Sequence, residues 1–147
     1  MTITDSGYYE SARRGIEDQY AAQMAANTYS KTLAQTRGKR QLAEMQTGFK
    51  RQLPGFMSQY GARGFGGGLG RSGIMQQSMS NYLGDFNRSY GTAQNDLNES
   101  LRQFDLTSAQ LGSSRSSSLA ELELQKSREI AFAAQNIEAL RSIFGGL

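Results

Sequence analysis

Apolar residues fall along this chain in narrow, helically spaced lines. Ile16, Tyr20 and Met24 recur at steps of four, and Leu42, Met45, Phe49 and Leu53 at steps of three and four. Such spacing places them on one face of a helix. Farther on, the line runs through Leu83, Phe86, Tyr90, Ala93, Leu97, Leu101, Phe104 and Leu111, with Ser108 as its one weak place. It resumes at Leu119 and Leu122, passes Lys126, and continues through Ile130, Ala133, Ile137, Leu140 and Phe144, before Gly145 and Gly146 close it. The three-four alternation is that of a left-handed coiled-coil seam, and the extra step of four from Leu97 to Leu101 relaxes it locally.

Breaks in the pattern divide the chain into three parts. Residues 1–53 form an N-terminal helical segment, in which Gly38 interrupts a basic knot of Arg37, Lys39 and Arg40. Pro54–Gly55 is expected to stop its helix, because Pro lacks the N–H that continues the ladder. Residues 54–73, PGFMSQYGARGFGGGLGRSG, include eight glycines. At roughly 1 kcal/mol per Gly relative to Ala in a helix interior, this stretch predicts a bend. Its anchors Phe56, Tyr60, Phe65 and Leu69 make it a docking loop rather than a plain linker. Ser72 is an expected N-cap for the third part, residues 74–147, a long helical segment with a polar joint at GSSRSSS, residues 112–118.

Composition sharpens the helical reading. The chain has no Val and only six Ile, the residues strands favour, while Ala, Gln, Leu, Arg and Glu abound. The predicted fold is all-α: a bent helical hairpin with a long C-terminal coiled-coil-like helix and a Gly-rich loop between. The apolar share, 37%, is lean for a chain of 147 residues. The first part offers fewer helical residues than the third, so folding back leaves part of the seam for other subunits. The expectation is an oligomeric bundle with Leu97, Leu101, Phe104, Leu122, Ile137 and Leu140 in an intersubunit seam.

Candidate chemistry is thin. With no Cys and no His, thiolate metal sites, disulfides and the commonest general base are excluded. Asp96 with Glu99, and Glu121 with Glu123, read as solvated helix faces, and no enzyme, cofactor or metal is expected. Gly68, Gly70 and Gly73 satisfy G-x-G-x-x-G, but no buried strand precedes them, so the pattern lacks the setting that binds a dinucleotide. From Lys31 to Arg71 the chain carries eight basic residues and one acid, Glu44. Arg37, Lys39, Arg40, Arg63 and Arg71 are therefore candidates for non-specific DNA contact, against the alternative of complementary charge between subunits. No stretch is long and apolar enough to span a bilayer, the last eighteen residues carry too little positive charge for an interfacial helix, and MTITDSGYYESARRG lacks the apolar stretch of a secretory signal.

The Ala/Gln/Arg-rich helix, the bend GARGFGGGLGRSGIMQQSMSNY and the long helix ending LAELELQKSREIAFAAQNIEALRSIF together resemble small helical virion structural proteins of tailed bacteriophages, over about residues 40–147. The resemblance implies a tail or connector component made in the host cytoplasm and incorporated into a virion. Such a subunit homo-oligomerises and docks on other phage structural proteins. The alternatives are an internal ejection protein that contacts DNA and the host membrane, and a disordered adaptor that folds on its partner.

Overall fold

A computed structural model describes residues 6–62 and 69–144, and the side chains of residues 6, 60–62, 69–72, 74, 143 and 144 are outside the described set. The described chain is all-helical, with two helices and no strand: α1, Ser6–Ala62, and α2, Leu69–Phe144. It divides into two compact units. One joins Met1–Thr28 to Asp105–Leu147, and the other is Tyr29–Phe104. Within each, a stretch of α1 packs antiparallel on a stretch of α2.

In the first unit three polar pairs mark the alignment. Arg115 meets Glu17, Ser108 meets Asn27, and Lys126 lies over the ring of Tyr9. The Asn27 amide donates to the Ser108 hydroxyl at 2.8 Å. This fills the weak place in the apolar line at Ser108. Lys126, which interrupts the same line, sits 5.9 Å from the centre of the Tyr9 ring, a cation–π arrangement.

The second unit is held by rings. Phe49 stacks on Phe86 with centroids 4.1 Å apart and on Tyr82 at 5.2 Å, and Phe56 stacks on the same Tyr82 at 4.8 Å. Phe86 reaches on to Tyr90 at 5.7 Å. At the other end Gly38 faces Leu97 so closely that a Cβ there would collide with the leucine's branch. A side chain at this position would require Leu97 to move aside.

Several boundaries differ from the expected ones. α1 passes through Gly38 and Pro54 without a break and continues to Ala62. The cause is tertiary. Phe49 and Phe56, one on each side of Pro54, both stack on Tyr82, and this packing carries the helix past the missing N–H. The Ser58 hydroxyl donates to the Gly55 carbonyl at 2.9 Å, in the turn that follows Pro54. α2 begins at Leu69, so Ser72 lies inside the helix and is not its cap. The expected bend at 54–73 is therefore helical over 54–62 and 69–73, and residues 63–68 lie outside the described residues. The Ser-rich joint at 112–118 is helical throughout.

Little of the chain is enclosed. Tyr9, 8% exposed, is the single buried hydrophobic side chain among the described residues. The chain exposes 11426 Å².

Candidate functional site

The polar centre of the first unit is built where sequence patterning shows a gap. In GSSRSSS the apolar line stops, and Arg115 takes the seam position instead, half-buried between helices. Its guanidinium donates two hydrogen bonds to Glu17, Nε to Oε2 at 2.7 Å and Nη2 to Oε1 at 2.6 Å. This is a bidentate fork of the stronger, charge-assisted kind. The same guanidinium lies 5.1 Å from the centre of the Tyr20 ring. The Ser116 hydroxyl turns back on the helix and donates to the Gly112 carbonyl at 3.0 Å, so its competition with the backbone is spent inside the helix. The wide Arg115 side chain also finds an ionic partner on the facing helix.

Those hydrogen bonds from Arg115 hold the Glu17 carboxyl below its ordinary value of 4.5; partial enclosure opposes the shift, and the charges of Arg115 and Arg13 add to it. A carboxylate whose pKa is lowered by folding stabilises the fold above its unfolded pKa and loses that contribution as pH falls through the folded one. Glu17→Gln is therefore expected to lower the thermal midpoint near pH 7. The gap from wild type should shrink as pH falls below about 4.5. Circular dichroism melts from pH 7 to pH 3 check this, and a gap that is constant with pH would show that the fork does not titrate as described.

Tyr9 closes the other end of this unit. The Glu129 carboxylate beside the Tyr9 hydroxyl, with enclosure, pushes the phenol above its ordinary value. The hydroxyl does not close a well-formed hydrogen bond on Glu129. The pair is an electrostatic contact. The Gln125 amide also donates to Glu129, at 3.2 Å.

The second unit carries two grooves beside its seam. One, of about 650 Å³, is lined by Ala34, Arg37, Gly38 and Gln41 of α1 and by Arg88, Asp96 and Leu97 of α2 among others. The other, of about 350 Å³, lies over Phe49, Tyr82 and Phe86. Across this seam the Gln46 amide donates to the Tyr90 hydroxyl, and the Tyr82 hydroxyl donates to Gln52, both at 3.1 Å. No group of three or more acidic side chains gathers into a metal-binding arrangement among the described residues. Asp96 and Glu99 are both exposed, as are Glu121 and Glu123. No helix of the described residues is long and apolar enough to cross a membrane.

The expected site residues divide by position. Leu97, Leu101, Phe104 and Leu122 are half-buried, with Leu97 against Gly38 of the same chain. α1 has 57 residues and α2 has 76, so α1 covers more of the seam than a helix ending at Pro54 would. Ile137 and Leu140 stay exposed, at 55% and 54%. Of the expected docking loop, Phe56 is packed on Tyr82, the side chains of Tyr60 and Leu69 are not among those described, and Phe65 lies outside the described residues. Of the basic candidates, Arg37, Lys39 and Arg40 are exposed on α1, Arg71 falls in α2 with its side chain undescribed, and Arg63 lies outside the described residues. Gly70 and Gly73 are helical, so the turn of a dinucleotide cradle does not form around them, and Gly68 lies outside the described residues.

Sequence patterning missed the Glu17–Arg115 fork and did not single out Lys50 and Arg51, which stand exposed on α1. Arg115 was legible as the one non-serine side chain at seam spacing, four residues after Leu111. Comparison with protein-family models, with curated proteins and with solved structures finds no match. What the geometry defines is a two-helix protein with polar registration pairs in its seam and no gathered set of reactive groups among its described residues.

Proposed function

We propose that this chain is a structural subunit of an assembly, and that it works by packing helices against copies of itself and against other structural proteins. The observation that carries this reading is how little apolar surface is enclosed: one hydrophobic side chain is buried among the described residues, and large apolar ones stay exposed. Ile130, Phe132, Ile137 and Leu140 stand at 48–62% exposure on the last turns of α2. A neighbouring helix laid on this surface would remove it from water, at about 25 cal/mol per Å². The likeness of residues 40–147 to small virion proteins of tailed phages supports placing the assembly in a virion, as a tail or connector component.

The test uses the solution mass of the full chain. Multi-angle light scattering should give a multiple of 16.1 kDa. Ile137→Asp with Leu140→Asp should lower that mass and leave the helical circular dichroism intact, because both side chains are exposed in the single chain. A wild-type mass of one copy, with a cooperative melt, would overturn the reading.

A further inference from the structure

Charge is sorted between the two units. Residues 29–104 hold ten basic and four acidic side chains, a formal +6, and the rest of the chain holds six basic and nine acidic, a formal −3. Within the positive unit the excess lies on α1. Arg37, Lys39, Arg40, Lys50 and Arg51 are all exposed, with Glu44 the one acid between them. None of the five forms an ion pair among the described residues.

Their placement is regular. Lys39–Arg40 and Lys50–Arg51 are the same dipeptide eleven residues apart. Eleven residues make three turns, so the two pairs share a face to within about 20° and stand about 16.5 Å apart. Gly38, Phe49 and Phe56 point to the opposite side, into the seam with α2. The pairs therefore face outward.

We propose that this outward face of α1, Lys39–Arg40 with Lys50–Arg51 and Arg37 beside them, binds the phosphate backbone of duplex DNA without sequence preference. Duplex DNA carries one charge per about 1.7 Å of axis, so 16.5 Å of helix spans roughly ten phosphates. Two basic pairs at that separation each meet phosphates whatever the bases are. The negative unit of a second copy is the weaker occupant. Glu17 is taken by Arg115, Glu129 faces Tyr9, and the remaining acids are interspersed with Arg13, Arg14, Arg128 and Arg141. It offers no unbroken negative track, and a nucleic acid does.

Fluorescence anisotropy of a labelled mixed-sequence 30-base-pair duplex, titrated with the full chain from 50 to 200 mM NaCl, tests this. Binding should weaken with a slope of about −4 in log K against log salt, for four to five neutralised phosphates. Changing Lys39, Arg40, Lys50 and Arg51 together to Gln should cost at least about tenfold in affinity at 100 mM and flatten the slope by about 3 to 4. An equal loss of charge elsewhere, Arg13, Arg14, Arg128 and Arg141 to Gln, should leave affinity within about threefold if the face and not net charge is read. Three results would overturn the proposal: no binding by wild type at 50 mM, an equal loss in the control set, or a change of protein mass without DNA in the Lys39/Arg40/Lys50/Arg51 variant. The last would assign the face to contacts between copies. The wild-type slope is read independently of any variant's folding, and the mass measured without DNA keeps this test separate from that of assembly.

Discussion

Phe49→Ala should be among the most damaging single substitutions in the chain, at about 3 kcal/mol. Phe49 stacks on both Phe86 and Tyr82, at 4.1 and 5.2 Å. Its removal forfeits two aromatic contacts, each about 0.5–1.5 kcal/mol beyond area burial, and opens a gap that neighbouring rings fill only in part. Because Tyr82 also holds Phe56, the loss extends past Pro54, and the last turns of α1 should fray. Urea unfolding followed by circular dichroism measures the loss, and the fraying should appear as reduced helicity before the main transition. Phe49→Leu keeps much of the apolar volume and should cost about 1 kcal/mol. If Phe49→Ala melts with the wild-type midpoint, the ring cluster does not hold this unit.

Gly38→Ile should cost about 1–3 kcal/mol, by forcing a branched side chain into the space of Leu97. Gly38→Ala is a closer balance, since better helix propensity returns about 1 kcal/mol while Leu97 must move. Gly48 has nothing within 4 Å of where a Cβ would stand. Gly48→Ala should therefore stabilise by about 0.5–1 kcal/mol through propensity alone. Leu97→Ala placed on Gly38→Ile should recover part of the loss, because the two side chains contend for one volume. Additive effects in that double variant, measured by urea denaturation, would show that Gly38 and Leu97 are not in contact.

The all-helical class followed from spacing and composition. The seam line from Phe86 to Leu122 matches half-buried positions almost throughout. Two kinds of residue misled the reading. Pro54 and the serines of 112–118 carry local preferences against helix, and in both places a partner distant in sequence outweighs them: Tyr82 for the first, Glu17 for the second. Such partners are invisible to a window of neighbouring residues, since Glu17 and Arg115 lie 98 positions apart. Arg37, Lys39 and Arg40 were legible because they cluster. Lys50 and Arg51 lie in the same expected helical segment, and their eleven-residue spacing from Lys39 and Arg40, three helical turns, was the signal that would have joined the two pairs.

A seam this thin also sets the thermal behaviour of the single chain. Heat-capacity change on unfolding follows the apolar surface newly wetted, ordinarily about 12–15 cal/mol/K per residue. With one hydrophobic side chain buried among the described residues, the isolated polypeptide wets less and falls below that figure. Its stability then varies gently with temperature, along a flat, broad curve rather than a steep dome.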